Sequence, residues 1–299
     1  MGKTLYLECR SGISGDMLVG ALLDLGADAD LLKSVLESVP ADGFSIKISR
    51  TQKNGRDCTD FDVILDSKHE NHDHDMQYLH GHPDDAPLAI DENGFVRPDD
   101  DNKKSAVSKK EDTCENNAHR SKHIHRSLKD VTDIINRSKA SNKAKELSEK
   151  IFSILAQAES EVHDVPVDKV HFHEVGAIDS IADILAIAVC IDDLGVERVV
   201  VPAIYDGSGT VRTQHGILPV PVPAVNNIAL KYGITQYITE VKGEMVTPTG
   251  AAAVAALRTD EYMPQSYRVV KEGCGSGKRS YDAPCYLMAQ IIEPDRWQI

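Results

Sequence analysis

The hydrophobic pattern changes its period repeatedly along the chain, which predicts strands interleaved with helices. Apolar residues alternate with polar ones over 44–48 and 61–65, as in two half-buried strands joined by a turn at Asn54-Gly55. Leucine and alanine recur at helical spacing over 17–25, and Gly26 follows where a helix C-terminal cap belongs. The sequence therefore predicts an α/β fold of mixed α and β elements, in which strands alternate with helices.

The other elements follow from the same periods and from capping residues. Further helices are expected at 30–38, from Ser127, from Ser141 to about 162, over 181–191, from Pro223 and from Thr247. Further strands are expected at 4–9, 169–175, 198–201, 217–222, 267–270 and 286–292. The glycine-containing stretches 206–212 and 273–277 are expected to be loops or tight turns.

The composition changes abruptly between residues 66 and 126. This segment has few apolar residues and carries eight of the twelve histidines. Because such a composition cannot bury enough surface to offset the entropy of ordering, we expect a long disordered insert rich in His, Asp and Lys. The expected organisation is an N-terminal strand–helix part of the core at 1–65, a low-complexity His-rich insert at 66–126 and the main α/β core at 127–299.

Charge, apolar run length and cysteine spacing exclude several functions. The net charge of −14 argues against a nucleic-acid partner. The longest unbroken apolar run, 184–191, is far shorter than the roughly 20 residues that cross a bilayer. The six cysteines are irregularly spaced and form no Cys-x-x-Cys pair, which is typical of reduced thiols in the cytosol. We therefore expect a cytoplasmic protein without a membrane or nucleic-acid partner.

The stretch 169–183 carries the residues best suited to bind a metal ion. His171 and His173 are two apart and would share one face of a strand. Two imidazoles and a nearby carboxylate, from Glu174 after a bend or from Asp179, can form the first shell of a divalent transition metal. Asp16 is a further candidate metal ligand. Asp183 has a structural alternative, because 180–183 fits a capping box.

The histidines of the insert form a second, weaker metal candidate. Five of them are interleaved with acidic residues, and such a tract can hold metal loosely without a defined geometry: His69, His72, His74, His80 and His82. The alternative is a solvated run of charges.

Several short motifs could bind a phosphate or a nucleotide through backbone N–H groups. The stretch 11–16 stands between a predicted strand and a helix, but it matches neither a P-loop nor the dinucleotide Gly-x-Gly-x-x-Gly. The candidate phosphate-binding or nucleotide-binding residues are Ser11, Gly12, Ser14, Gly15, Gly207, Ser208, Gly209, Arg212, His215, Thr247, Thr249 and Gly250. Helix caps and tight turns explain most of them equally well.

Five motifs together resemble the LarC family of nickel insertion proteins. They are 5–17 (LYLECRSGISGDM), 171–180 (HFHEVGAIDS), 207–211 (GSGTV), 215–221 (HGILPVP) and 243–251 (GEMVTPTGA). The resemblance covers nearly the whole chain outside the insert. It implies a nickel chelatase of the lyase class, which inserts Ni²⁺ into pyridinium-3,5-bisthiocarboxylic acid mononucleotide and hydrolyses CTP with the help of Mn²⁺ or Mg²⁺. The product would be the nickel-pincer cofactor, and its recipient would be lactate racemase.

The resemblance also implies that part of the family's architecture is missing from 1–299. Members of the family usually continue past 273–277 into a C-terminal domain that is associated with CTP and with homo-oligomer formation. We therefore expect this chain to be the N-terminal, nickel-binding part, as from a frameshifted or truncated gene. A separate C-terminal domain, or a longer product of the same gene, would then be a partner.

Two other functions fit the same residues. The insert could make the protein a non-enzymatic nickel store or metallochaperone. The His and Asp clusters beside phosphate-type loops could instead belong to a metal-dependent phosphohydrolase. Nickel binding, metal content without the insert and hydrolysis of simple phosphate esters distinguish these functions.

Overall fold

The computed structural model of the protein describes residues 2–66, 126–172, 178–213 and 216–296, without the side chains of His171 and Arg296. The described chain is a mixed α/β structure, as the hydrophobic periods predict. The predictions for the insert histidines, for His173 and Glu174, and for His215 concern residues outside the described ranges.

A six-stranded mixed sheet forms the centre of the molecule. In spatial order its strands are β2 (Phe44–Lys53), β3 (Arg56–Leu65), β10 (Ser266–Ser276), β11 (Tyr286–Arg296), β1 (Lys3–Glu8) and β6 (Val196–Val200). β1 pairs with β11 in antiparallel and with β6 in parallel orientation, so that Thr4 lies opposite Ile292. Segments from both sides of 67–125 therefore share one sheet.

Two smaller sheets complete the β structure of the described ranges. One has the order β8 (Gly216–Val220), β7 (Ile204–Thr213), β9 (Gln236–Lys242). The other pairs β4 (Arg126–Ser127) with β5 (His171–Phe172). A bridge between Cys9 and Ile204 places the end of β1 beside the start of β7. The three-stranded sheet therefore adjoins the large sheet where β1 ends.

Seven α-helices occur in the part of the chain that the structure describes. They are α1 (Gly15–Asp24), α2 (Ala29–Glu37), α3 (Leu128–Arg137), α4 (Asn142–His163), α5 (Ile178–Leu194), α6 (Pro223–Tyr232) and α7 (Pro248–Leu257). The predicted capping box is confirmed, because the Ser127 hydroxyl and the Asp130 carboxylate each bond the other's backbone N–H. Ser141 caps α4 and Thr247 caps α7, as expected from their positions before helical patterns.

The core lies between the large sheet and the helices. α1 packs on β10, β3 and α5, and α4 packs on α5, α6 and α7. Every residue from Ile184 to Ile191 is buried, which explains why this run is apolar on all sides. Burial of such side chains contributes about 1.5–3 kcal/mol each, and this drives α5 into the middle of the molecule.

Two glycine stretches that were expected to be loops are strands. Residues 207–209 lie inside β7, and β10 runs through Gly273 and Gly275 to Ser276. The prediction was wrong because these glycines serve close packing rather than a turn. A Cβ on Gly275 would overlap the backbone carbonyl of Met17, so only glycine lets α1 rest directly on β10.

The cysteines depart from expectation at one pair. Cys58 on β3 and Cys274 on β10 form a disulfide, so the prediction of reduced thiols is wrong for these two residues. Their separation of 216 residues along the chain hides the pairing from any reading of local spacing. Cys9, Cys190 and Cys285 are free and buried, as expected.

No helix within the described ranges is long and apolar enough to span a membrane.

Candidate functional site

Three of the glycine motifs meet beside the start of α1. They are residues 11–15 after β1, 206–208 in β7 and 243–250 at the start of α7, and we call their meeting point the loop junction. Ile13 N donates to Met245 O at 3.0 Å, and Thr247 N donates to Ile13 O at 3.1 Å. The sequence could not predict this meeting, because the pairing joins segments that are far apart along the chain.

Glycine permits the close approach at the junction. A Cβ on Gly12, whose φ is +82°, would overlap the carbonyl of Met245, and one on Gly250 would overlap that of Ile13. A Cβ on Gly207 would meet a third backbone carbonyl. These three glycines are therefore required for backbone packing, whichever ligand the junction binds.

Asp206 ties β7 to the 243–250 turn. Its side chain is fully buried, and its Oδ1 accepts hydrogen bonds from the backbone N–H of Gly207 and Met245, both at 2.8 Å, and of Val246 at 3.1 Å. Its Oδ2 has no hydrogen-bond partner in the described ranges. Burial raises the pKa of Asp206 to about 6, although the three backbone hydrogen bonds oppose that shift.

A pair of carboxylates lies at the N-terminus of α1. Asp16 in the first turn is 7% exposed, and its Oδ1 accepts a hydrogen bond from the Ser14 hydroxyl. Asp183 on α5 approaches this turn so closely that a Cβ on Gly15 would lie 2.6 Å from its Oδ2. Burial, and then the charges of Asp16 and Asp179, raise the pKa of Asp183 well above its usual value.

The interpretation of Asp183 as a helix-capping residue is wrong. α5 begins at Ile178, so Ser180 and Asp183 are both inside the helix, and neither occupies the position that a capping box requires. The spacing of a capping box arose here from two polar residues within a helix. The carboxylate of Asp183 instead lies against the start of α1. The sequence pattern around 180–183 did not indicate this contact.

Lys278 brings a buried positive charge to the same region. Its side chain is 15% exposed, and its Nζ lies 2.8 Å from Asp60 Oδ1 and 3.4 Å from Asp62 Oδ1. Burial alone would lower the pKa of Lys278, but the hydrogen bond to Asp60 and the charges of Asp60, Asp62 and Asp16 outweigh burial and raise it. Ser276 also donates to Asp60 at 2.7 Å. The field around Asp16 and Asp183 is therefore one that holds a cation.

A buried ion pair closes the junction on another side. Arg279 Nη1 donates to Glu244 Oε2 at 2.5 Å and to Glu244 O at 3.0 Å, and the two side chains are 14% and 8% exposed. The Tyr281 hydroxyl also donates to Glu244 O. The carboxylate raises the pKa of Arg279 against the opposing effect of burial, so the guanidinium stays charged. This pair fixes the segment after β10 to the turn before α7.

The predicted metal ligands are only partly described. The backbone of His171 lies in β5, where it pairs with Ser127, and the neighbouring Phe172 packs edge-on against Phe152 with 5.9 Å between ring centroids. Asp179 is in the first turn of α5. Within the described ranges, no group of three or more His, Cys, Asp or Glu residues has the arrangement of a metal site. The histidine ligands therefore stay a prediction.

The predicted phosphate ligands are spread more widely than the junction. The Thr247 hydroxyl accepts from Gly250 N at 3.1 Å, as a helix cap does. The Ser208 hydroxyl donates to Val241 O and accepts from Lys242 Nζ, both at 3.3 Å. Arg212 is exposed on β7, farther along the strand from the junction. Of the remaining candidates within the described ranges, Ser11 and Thr249 are partly exposed, and Gly209 has a φ of +91°.

The sequence patterns did not indicate that Asp206, Lys278 and Asp183 belong to this site. Asp206 precedes a glycine motif, and a buried acid beside such a motif is a usable signal. Lys278 directly follows the 273–277 motif, and a lysine after a glycine-rich stretch is a usable signal of the same kind. For Asp183 the signal would have been an acidic residue on the inner face of an otherwise apolar helix.

The fold and the site are those of an α/β protein with a charged, glycine-lined junction beside the N-terminus of α1. Carboxylates and a buried lysine lie at the N-terminus of α1, which is chemistry for a cation, and the closely packed glycine turns of the loop junction adjoin them. The sequence model of the family described as "Nickel insertion protein" matches residues 5–297. The chain belongs to the nickel insertion protein family.

Several curated relatives share this sequence over nearly its full length. A pyridinium-3,5-bisthiocarboxylic acid mononucleotide nickel insertion protein of Alkaliphilus metalliredigens is 45% identical over 99% of this chain and 62% of its own length. Proteins of the same name from Clostridium acetobutylicum and Acetivibrio thermocellus are 37% and 35% identical, over 99% and 93% of this chain and 65% and 57% of their own lengths. The chain thus spans about three fifths of these relatives. No solved structure matches it.

Proposed function

We propose that this chain is the nickel-binding part of a chelatase that inserts Ni²⁺ into pyridinium-3,5-bisthiocarboxylic acid mononucleotide, the compound in the names of its relatives. The proposed product is the nickel-pincer cofactor of lactate racemase, and the proposed reaction is of the lyase class and hydrolyses CTP with Mn²⁺ or Mg²⁺. The family membership over 5–297 supports this proposal. The proposed compartment is the cytoplasm.

The full reaction, in this proposal, needs the additional length that the relatives have. A separate C-terminal domain, or a longer product of the same gene, would supply the CTP-dependent step and the contacts of a homo-oligomer. The relatives' greater length supports this division, because the chain covers 62%, 65% and 57% of the three named above. The chain itself would then bind nickel and hold the mononucleotide.

We assign nickel, the substrate metal, to His171, His173, Glu174 and Asp179. Neutral imidazole nitrogen suits Ni²⁺, and a carboxylate completes the donor set. The observation that carries this assignment is the negative field at the start of α5. Asp179 stands in its first turn and Asp183 in its second, directly after the histidine-containing stretch, and Asp16 faces them from α1. A dication entering here is attracted, and an anion is repelled.

We assign the phosphate of the mononucleotide to the opposite side of the loop junction. The carboxylates of Asp16 and Asp183 offset the positive helix dipole at the start of α1, which makes 11–15 a poor anion site. The Ser208 hydroxyl on β7 and Lys242 Nζ at the end of β9, 3.3 Å apart, provide a donor and a positive charge. The further residues of this proposed phosphate side are Gly207, Gly209, Arg212, His215, Thr247, Thr249 and Gly250.

A double substitution tests the nickel assignment. His171→Ala with His173→Ala should remove one tightly bound Ni²⁺ per chain, as measured by equilibrium dialysis with metal analysis. Insertion activity, assayed with CTP and a supplied C-terminal domain of a relative, should fall by a factor of about 100 or more, as for loss of metal ligands. His163→Ala, on the last turn of α4, is the matched histidine control and should change neither quantity.

Two outcomes would contradict the proposal. Unchanged nickel stoichiometry together with persistent cofactor formation in the double variant would show that nickel binds elsewhere. Release of phosphate from simple esters without any pyridinium substrate would favour a metal-dependent phosphohydrolase instead.

A further inference from the structure

Within the part of the chain that the structure describes, the carboxylates of Asp16 and Asp183 are not fully satisfied by hydrogen bonds. Asp16 is more than nine-tenths buried, yet its Oδ2 accepts no hydrogen bond within the described residues. The carboxylate of Asp183 likewise receives no hydrogen bond there, while it lies against the Cα of Gly15, next to Asp16 in the chain. Two negative groups in this arrangement repel each other, and Asp16 has lost nearly all of its water and Asp183 much of it, which is costly unless a cation or a proton lies between them.

The surrounding charges favour a cation. Lys278 shows that this region already holds one positive charge, at 2.8 Å from Asp60 and 3.4 Å from Asp62. Its ammonium is committed to those two carboxylates, so it offsets Asp16 and Asp183 only from a distance. Asp183 is partly exposed, which leaves a route from solvent. The Ser14 hydroxyl holds Oδ1 of Asp16 and thereby fixes the orientation of its free Oδ2.

We infer that Asp16 and Asp183 bind a divalent cation of the Mg²⁺ class, separate from the imidazole ligands proposed for nickel. Carboxylate oxygen is the ligand of such hard cations, and imidazole is not. Mg²⁺ and Mn²⁺ are commonly held by one or two carboxylates while water and a ligand phosphate complete their coordination. The adjoining loop junction, with its exposed hydroxyls and Lys242, provides a place for that phosphate. The cation would bridge the carboxylate side of the junction to the phosphate side.

This site explains why Gly15 stands at the first position of α1. Any side chain there would separate the two carboxylates, since even a Cβ would come within 2.6 Å of Asp183 Oδ2. Glycine is otherwise a poor helix residue. In a helix interior it is about 1 kcal/mol less favourable than alanine. Asp16 and Asp183 also contribute to the negative field behind the nickel assignment, but this site uses no histidine, so the two proposals can be tested separately.

The test measures Mn²⁺ and Mg²⁺ binding in the full chain that carries His171→Ala and His173→Ala, so that the proposed nickel ligands are absent. Mn²⁺ binding is followed by loss of the free-ion signal in electron paramagnetic resonance, and Mg²⁺ is used as a competitor. Asp183→Asn and Asp16→Asn, which preserve shape, should each weaken the tightest Mn²⁺ binding at least tenfold. Asp133→Asn, an exposed carboxylate on α3, removes the same charge and should leave it within twofold.

Thermal unfolding keeps the test independent of folding defects. Without metal, Asp183→Asn should melt at or above the temperature of its parent, because it removes the repulsion with Asp16. Mn²⁺ should raise the melting temperature of the parent and of Asp133→Asn, because a ligand that binds the folded state stabilises that state. It should not raise the melting temperature of Asp183→Asn, which lacks the site. Unchanged Mn²⁺ affinity in Asp183→Asn would overturn the inference. So would absence of Mn²⁺ and Mg²⁺ binding in the parent, which would mean that the two carboxylates share a proton instead.

Failure of this site and failure of the nickel assignment are distinguishable. If the Asp16 and Asp183 variants keep full Mn²⁺ binding, the cation site is wrong, but the nickel result with His171 and His173 still stands. If the histidine variants keep nickel, Mn²⁺ binding in the same background still reports on Asp16 and Asp183.

Discussion

Asp206 has one carboxylate oxygen saturated with hydrogen bonds and the other with none in the described ranges. The three donors belong to two segments, so this residue holds β7 and the 243–250 turn at a fixed separation. Because Met245 in turn pairs with Ile13, the position of the turn before α1 depends on it as well. A single buried acid thus sets the geometry of the loop junction.

The raised pKa of Asp206 leads to a prediction about stability against pH. Its pKa is about 6 in the folded protein and 3.8 at its ordinary value, so the folded state binds the proton more tightly than the unfolded chain does. Its contribution to the free energy of unfolding is therefore full below about pH 4 and is lost as the pH rises through 6, by about 3 kcal/mol in total. Glu244, the nearest acid, adds to this effect.

The comparison of wild type with Asp206→Asn isolates this contribution. Asn keeps the Oδ1 acceptor and cannot ionise, so the free-energy difference between the two proteins should change by about 3 kcal/mol between pH 4 and 7, in the direction that favours Asn at higher pH. Urea unfolding at several pH values measures it. Asp133→Asn, at an exposed carboxylate on α3, serves as the control for the loss of one charge. A flat difference for Asp206→Asn would contradict the raised pKa.

At the scale of elements, α1 and β10 meet through glycine rather than through interlocking side chains. Gly20 on the helix and Gly275 on the strand bring the two backbones together, and no side chain could fit between them. This contact positions Asp16 at one end of α1 over the segment that carries Lys278. The packing therefore serves the site directly.

We predict that Gly275→Ala destabilises the protein far more than Gly55→Ala. The new Cβ at 275 would overlap the Met17 carbonyl, which costs about 3 kcal/mol or more because two backbones must separate. Gly55 has a φ of +77° but nothing within 4 Å, so alanine there should cost only about 1–2 kcal/mol for the left-handed conformation. Equal losses in urea unfolding would show that the close contact does not exist in solution.

Sequence patterns predicted most elements but could not predict how they meet. Local periodicity and capping residues predicted α1, α4, α7 and the β2–β3 hairpin, because their signals lie within a few residues. The same patterns misassigned 207–209 and 273–277, since a glycine needed for contact with a distant backbone looks identical to one needed for a turn. The Asp16–Asp183 pair was missed for a related reason, because it depends on how two helices cross.

At the scale of the whole molecule, the His-rich insert distinguishes two ways of handling nickel. A store would hold most of its metal in the insert, at residues such as His69, His72, His74, His80 and His82. A chelatase would need only the folded core. The net charge of −14 attracts cations in either case and does not decide between them.

Replacing 70–124 with a twelve-residue Gly/Ser linker should leave the core intact. The change shortens the connection between β3 and β4 by about two doublings, which should stabilise the protein by about 1 kcal/mol through lower loop-closure entropy. We expect one tight Ni²⁺ to remain per chain, together with insertion activity when the C-terminal part of a relative is supplied. Thermal unfolding and equilibrium dialysis measure the two results.

A matched variant separates the histidines from the length of the insert. Changing His69, His72, His74, His80 and His82 to Asn should lower only the weak nickel binding. Loss of the tight Ni²⁺ in either variant would indicate a nickel store rather than a chelatase.

The position of β1 has a consequence for how the protein is made. Thr4 pairs with Ile292, so β1 lies beside a strand that the ribosome synthesises much later, after the other strands of this sheet. At about 5–20 residues per second, synthesis leaves β1 without β11 for roughly 15–60 s. During that time the edge of β1 that later pairs with β11 is open to other chains, and the sheet closes by slow, non-local pairing. Yield in the cell should therefore depend on chaperones that shield β1 until β11 arrives.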